Sequence, residues 1–209
     1  MRVIGLTGGI ASGKSTAADA LESVGAPVVR SDVLARAAVA PGTGGLAEVV
    51  STFGRDLLRP DGCLDREALG RRVWGDPEAR RRLESIIHPP VRDATIAWLA
   101  QRRRAGSAAA VCDIPLLFEV GLHLAGSFVD RIWVVSVQPG TQLRRLMARD
   151  GLDAREAAER IALQWPLAAK AAQAHRVFEN EGTPQDLRRQ VVLAWAQTLE
   201  EVGDRPRTH

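Results

Sequence analysis

The chain has 209 residues, of which 45% are hydrophobic and 25% are charged, so it is long enough to bury one core with a small inserted lobe. It has no run of about 18 uncharged apolar residues, and the apolar run 3–6 is too short for a signal peptide. Two cysteines, Cys63 and Cys112, lack metal-ligand spacing and suit a reducing compartment. We therefore expect a cytoplasmic protein with no membrane partner.

The formal net charge is +3, and the 28 basic residues include only two lysines, Lys14 and Lys170. In a chain that otherwise uses arginine, a lysine at position 14 indicates a chemical need for a compact ammonium group. Arginine clusters at 80–82 and 102–104 could mark a nucleic-acid surface. Because acidic residues are interleaved and aromatics are only 4%, we interpret them as solvated helix faces and expect no nucleic-acid partner.

The first half of the chain predicts two short strands followed by helices. Residues 2–7 (RVIGLT) predict a buried strand, then come glycines and a helix that ends at Gly25. A second strand is predicted at 27–29 and a helix at 32–40. Residues 46–101 are predicted to be mainly helical, with breaks that include His88-Pro89-Pro90.

The second half contains two continuous apolar runs, at 108–114 and 131–137, which are typical of a parallel sheet covered by helices on both faces. Helical patterns at 141–174 and 184–202 flank a last predicted strand at 175–179. The sequence therefore predicts an α/β fold.

A phosphate-binding loop follows the first predicted strand. Gly8, Gly13, Lys14 and Ser15 meet the pattern Gly, four residues, Gly-Lys-Ser/Thr. Glycines permit backbone conformations that let successive amides of residues 11–16 point inward around phosphates, at the positive end of a helix. We expect Lys14 to bind the β- and γ-phosphates as a catalytic residue and Ser15 to bind Mg²⁺.

The nucleotide-binding residues predicted in this loop are Gly8, Gly9, Ala11, Ser12, Gly13, Lys14, Ser15 and Thr16. They imply a nucleoside triphosphate with magnesium as the cofactor.

Phosphate loops also occur in GTP-dependent switches and in motors, so the class of protein needs a second argument. The only asparagine, Asn180, is followed by Glu181-Gly182 and cannot belong to an Asn-Lys-x-Asp guanine motif. A motor would need a longer chain or a basic face. A kinase needs a base for its acceptor, and Asp32, just after the second predicted strand, is our candidate; its alternative role is that of a helix N-cap.

The motifs, taken in order, resemble the dephospho-coenzyme A kinase family over nearly the whole chain. The similar segments are LTGGIASGKST at 6–16, SDVLAR at 31–36, DG and LDR within 61–66, HP at 88–89, PLLFE at 115–119, and single residues from Gln142 through Lys170 to Asn180.

The resemblance implies transfer of the γ-phosphoryl group of ATP to the 3′-hydroxyl of the ribose of dephospho-CoA. It implies a P-loop NTPase fold, a three-layer α/β/α domain with a five-stranded parallel sheet. The core would comprise about 1–40, 106–140 and 174–209. A helical acceptor-binding lobe would span about 41–105 and a helical lid about 141–173. We expect a monomer.

The resemblance also implies further site residues. Arg145, Arg149 and Asn180 would bind ATP, and Arg66 and His88 would bind dephospho-CoA together with Asp32. The arginines could instead be helix-surface charges, and His88, which precedes a proline, could simply end a helix.

Asp113 resembles a Walker B carboxylate that would hold Mg²⁺ through water. The chain departs from the family at Arg30, where a carboxylate is usual, and at His175, where an aspartate is usual. Two alternatives stay open: another P-loop kinase of nucleotides or nucleosides, and a regulatory module that hydrolyses ATP slowly.

Overall fold

A computed structural model describes residues 1–203 of the chain. It has five strands, β1 (Arg2–Gly8), β2 (Val28–Arg30), β3 (Ala109–Asp113), β4 (Arg131–Ser136) and β5 (Arg176–Glu179). They form one sheet in the order β2-β3-β1-β4-β5. The pairs β1–β3, β1–β4 and β4–β5 are parallel, which confirms the predicted α/β fold with a five-stranded parallel sheet.

The helices follow the strands in the chain order that the sequence predicted. They are α1 (Lys14–Ser23), α2 (Ser31–Ala38), α3 (Gly44–Phe53), α4 (Arg66–Val73), α5 (Pro77–Arg104), α6 (Pro139–Asp150), α7 (Ala154–Ala162), α8 (Leu167–Ala172) and α9 (Pro184–Gly203). A short 3-10 turn at Arg55–Leu57 lies between α3 and α4.

The core around the sheet explains where the phosphate loop lies. Ile4 and Leu6 of β1 are fully buried in one cluster with Leu21 of α1 and Val191 of α9. In the β1–β3 register, Leu6 is opposite Asp113, the last residue of β3. The loop that leaves β1 therefore begins at the same edge of the sheet as the carboxyl end of β3.

The chain divides into two compact units. One comprises Met1–Val29 and the residues from Leu99 onward, and the other comprises Arg30–Trp98. The second unit is helical and has its own apolar cluster, to which α3, α4 and α5 contribute buried residues. The second unit includes α2 as well as α3 and α4; the acceptor-binding lobe at about 41–105 stays a prediction.

Helix α5 continues through Pro89 and Pro90, so the predicted break at this point is wrong, and His88 does not end a helix. Two adjacent prolines remove two intrahelical hydrogen bonds. Ile86 before the prolines and Leu99 after them are both buried. Packing of these flanking turns offsets the free energy lost with the two hydrogen bonds.

His175, one of the two departures from the family pattern, directly precedes β5. Its Nδ1 accepts a hydrogen bond from the Ile132 amide at 3.1 Å, and its own amide donates to the Ile132 carbonyl at 2.8 Å. The imidazole therefore supplies the acceptor that a carboxylate could supply at this position. Burial, and to a smaller extent the Arg131 charge, lower the pKa of His175.

This arrangement predicts a pH-dependent contribution of His175 to stability. The pKa is lower in the folded state than in the unfolded chain, so the unfolded chain binds more protons and acid favours it. The contribution should be complete above pH about 6.5 and should be lost as the pH falls below that value. Urea unfolding at pH 7.5 and 5.5 should show a larger loss of unfolding free energy for the wild type than for His175→Asp, whose carboxylate stays an acceptor in this range. Equal losses in the two proteins would contradict the assignment.

Candidate active site

The loop between β1 and α1 has an unusual backbone. Ala11 has φ 59° and Gly13 has φ 97°, both left-handed. For a residue with a side chain this conformation costs about 1–2 kcal/mol. Ala11 is the only residue other than glycine with positive φ in the described part of the chain, and strain of this kind concentrates at functional sites.

The amides of the loop leave an anion-binding position at the start of α1. Gly13 is the N-cap of α1 and makes no side-chain cap, so Lys14, Ser15 and Thr16 present first-turn amides without partners inside the helix. Ser12 differs from the prediction that all amides of residues 11–16 point inward, because its N–H donates to the Gly9 carbonyl at 3.1 Å within the loop.

Lys14 is held by an acidic residue from the neighbouring strand. Its Nζ lies 2.5 Å from Asp113 Oδ1, and the side chains are only 12% and 5% exposed. Asp113 ends β3, next to the end of β1 in the sheet. The structure therefore brings together two of the predicted site residues.

Asn180 lies beneath the loop. Its Nδ2 donates to the Ser12 carbonyl at 2.8 Å in a buried hydrogen bond, and a Cβ placed on Gly13 would overlap that same amide nitrogen. This contact makes Asn180 a support for the loop and explains why position 13 requires glycine; its predicted contact with ATP stays a prediction.

The arginines predicted to bind ATP lie on α6. Arg145 is half-buried, and Arg149 is exposed. Arg149 donates to both carboxylate oxygens of Asp150, at 2.7 and 3.0 Å, and Arg160 donates to the same carboxylate at 3.2 Å. The hydrogen bond from Arg149 lowers the pKa of Asp150 and raises that of the arginine. Asp150, which sequence analysis did not single out, therefore holds two cations of the predicted lid together.

The residues predicted to contact the acceptor belong to the helical unit. Asp32 is exposed in the first turn of α2. The N-cap of that helix is Arg30, without a side-chain cap, so the alternative role of Asp32 as an N-cap is wrong. Arg66 begins α4 and donates to the Arg36 carbonyl of α2 at 3.4 Å, while His88 is exposed within α5.

A buried ion pair that the sequence analysis missed connects the segment after β3 to α8. Lys170 is fully buried, and its Nζ lies 2.8 Å from Glu119 Oε1, within ion-pairing distance but without hydrogen-bond geometry. The same oxygen accepts the Trp165 amide at 2.9 Å. Lys170 is the second of two lysines in an arginine-rich chain, so the signal that singled out Lys14 also applied to it.

The residues at the loop fit a magnesium ion that arrives with the nucleotide. Ser15 is exposed at the start of α1, and Asp113 offers a carboxylate at the end of β3; both are the hard oxygen donors that Mg²⁺ prefers. Within residues 1–203, no three His, Cys, Asp or Glu side chains are grouped closely enough to bind a metal by themselves. Phosphate oxygens would therefore have to complete the coordination.

The glycine-rich turn lies between a strand and the open N-terminus of a helix, and its lysine is paired with a carboxylate of the neighbouring strand. This arrangement defines a P-loop phosphotransferase. The family model of dephospho-CoA kinase matches residues 2–186. The chain belongs to the dephospho-CoA kinase family, and it is a kinase.

Curated relatives and solved structures agree with this assignment. The dephospho-CoA kinase of Geobacter sulfurreducens is 49% identical over 94% of this chain and 98% of the relative. That of Anaeromyxobacter dehalogenans is 55% identical over 90% of this chain and 87% of the relative. A crystal structure from Thermus thermophilus is 36% identical, with a TM-score of 0.77 and coverage of 94% of this chain and 97% of that one. The dephospho-CoA kinase from Campylobacter jejuni, 25% identical, has a TM-score of 0.64 over 94% of this chain and 97% of its own.

Among residues 1–203, every helix is too short or too polar to cross a membrane.

The contact between Gly13 and Asn180 predicts a sharp difference between two glycine substitutions. Gly13→Ala adds a Cβ at φ 97° against the Asn180 amide and should lower the unfolding free energy by about 1–3 kcal/mol, with a loss of affinity for an ATP analogue. Gly140→Ala, in α6 with no atom within 4 Å of the added Cβ, should not lower the unfolding free energy and could raise it by up to about 1 kcal/mol. Urea unfolding and calorimetric titration measure both effects; equal behaviour of the two variants would refute the packing argument.

Proposed function

We propose that this chain transfers the γ-phosphoryl group of Mg·ATP to the 3′-hydroxyl of the ribose of dephospho-CoA, giving coenzyme A and ADP. The observation that carries the proposal is the family match over residues 2–186, together with a phosphate loop whose Lys14 is paired with Asp113. The unit Arg30–Trp98 would bind the acceptor, and the segment 141–173 would act as the lid.

In this mechanism the triphosphate lies against the first-turn amides of α1, and Lys14 moves from Asp113 to the β- and γ-phosphates. The 3′-oxygen of the acceptor forms a bond to the γ-phosphorus as the bond from that phosphorus to the β,γ-bridging oxygen breaks. ADP leaves with the electron pair of the broken bond. Positioning and charge stabilisation supply most of the catalysis in such a transfer.

Asp32 would accept the proton of the attacking hydroxyl. Its carboxylate is exposed, and it stands in the first turn of the helix that begins where β2 ends. Arg30 replaces the other carboxylate usual in this segment, so Asp32 is the only candidate base between residues 30 and 36. A positioned base of this kind contributes about 10²–10⁴-fold to a rate.

Magnesium would be held by the Ser15 hydroxyl and, through water, by Asp113. When bound, it neutralises charge on the β- and γ-phosphate oxygens.

The two arginines proposed to bind ATP differ in what they bind without it. Arg149 would have to exchange its hydrogen bonds to Asp150 for bonds to the nucleotide. Arg145 makes no such hydrogen bond among residues 1–203, so it would not have to break one to bind ATP. Arg66 and His88 are the proposed contacts of dephospho-CoA. A monomer in the cytoplasm stays a prediction.

An acceptor series tests the substrate. Purified protein with Mg·ATP should form ADP rapidly with dephospho-CoA and only slowly with nucleoside monophosphates or without an acceptor. A coupled ADP assay measures all three rates under the same conditions. Rapid turnover with a monophosphate would support the nucleotide kinase alternative, and a rate that no acceptor changes would support the slow regulatory ATPase.

Replacing Asp32 tests the base. Asp32→Asn should lower kcat by about 10²–10⁴-fold, because the amide cannot accept the proton, while the dissociation constant for an ATP analogue changes by less than about threefold. Asp93→Asn is the matched control, since Asp93 is also an exposed carboxylate of the helical unit with no proposed role. Retention of turnover in Asp32→Asn at the level of the control would rule out the assignment.

A further inference from the structure

One residue of the phosphate loop, Ile10, has both of its backbone polar groups bound by side chains. Gln164 Oε1 accepts the Ile10 amide at 2.8 Å, and Gln142 Nε2 donates to the Ile10 carbonyl at 2.9 Å. The two glutamines come from separate segments: Gln142 is on α6, and Gln164 is in the turn between α7 and α8. Both lie within the predicted lid, 141–173.

We propose that Gln142 and Gln164 are positioning residues that hold the two peptide groups on either side of the Ile10 Cα, and that they tie two segments of the lid to the phosphate loop. The inference rests on the proposed ATP-dependent transfer. Ile10 directly precedes Ala11, whose φ of 59° is the strained point of the loop. Fixing the peptide groups before and after Ile10 sets the conformation from which the amides that follow point toward the phosphates.

The packing around Gly9 supports this role for Gln142 independently of the hydrogen bonds. A Cβ on Gly9 would lie 2.5 Å from Gln142 Nε2 and 3.4 Å from Leu167 Cδ2 of α8. The α6 and α8 side chains therefore lie directly against the loop backbone. Gln142 is buried, so a carbonyl partner lost at this position would not be replaced freely by water.

Each glutamine is anchored outside the lid. The start of α6 is fixed by Glu181, which accepts from the Gln138 amide at 2.6 Å and from the Thr141 hydroxyl at 2.8 Å. The turn that carries Gln164 is fixed by Glu119, which accepts the neighbouring Trp165 amide and pairs with Lys170. This gives the buried Glu119–Lys170 pair a function, since it holds the second glutamine at the loop.

The two hydrogen bonds run in opposite directions, and this makes the proposal testable with a single kind of substitution. Gln164 acts as an acceptor, so Gln164→Glu keeps the bond to the Ile10 amide. Gln142 acts as a donor, so Gln142→Glu places a carboxylate against a carbonyl and loses the bond. Both variants add the same charge next to Ile10, which controls for repulsion of the triphosphate.

The primary experiment is titration of wild type, Gln142→Glu and Gln164→Glu with Mg²⁺ and a non-hydrolysable ATP analogue at pH 7.5, with the thermal midpoint of each protein recorded. Gln142→Glu should bind the analogue at least about tenfold more weakly than Gln164→Glu. In turnover, Gln142→Glu should raise the KM for ATP and leave the KM for dephospho-CoA within about threefold.

Equal affinities of the two glutamate variants would overturn the proposal. If Gln142→Glu fails to fold, Gln142→Met removes the donor without adding charge; wild-type affinity in that variant would also overturn it. Analogue binding needs no acceptor, so failure of the proposed reaction would appear separately, as absence of transfer to dephospho-CoA by the wild type.

Discussion

The ion pair between Lys14 and Asp113 is the contact on which the arrangement of the site depends. It joins the first residue of α1 to the last residue of β3, so the start of the phosphate-binding helix is fixed to the carboxyl end of the neighbouring strand. Both side chains are largely buried, and a buried charge that loses its partner is strongly destabilising. The pair therefore places an ammonium group at the open helix N-terminus before any nucleotide arrives, and a bound triphosphate would offer that group a second anion.

The loop between these anchors is held from several directions. Asn180 binds the Ser12 carbonyl, and the two glutamines bind Ile10 from two separate segments of the predicted lid. A strained turn persists only when its surroundings fix it, and these contacts do so for Ala11. A small number of side-chain amides bound to backbone groups therefore preforms the phosphate site.

The sequence was sufficient for the sheet and for the loop, because continuous apolar strands and a glycine pattern with fixed spacing carry strong local signals. The continuity of helix α5 was not predicted, because burial of Ile86 and Leu99 outweighs the tendency of Pro89 and Pro90 to end a helix.

The supporting residues of the site could not be predicted from spacing alone. Gln142 and Gln164 stand 132 and 154 positions from Ile10, and nothing local marks their amides as loop ligands. His175 was recognised as a departure from the family pattern, but only the structure shows that its Nδ1 accepts the Ile132 amide. Contacts of long sequence separation are decided by the register of the sheet and by helix packing.

The most direct measurement is a crystal structure with Mg²⁺ and a non-hydrolysable ATP analogue. We predict that the β- and γ-phosphates lie against the amides of Lys14, Ser15 and Thr16, with Lys14 Nζ bound to phosphate oxygen. Phosphates bound elsewhere, or a Lys14 that keeps Asp113 as its sole partner in the complex, would contradict it.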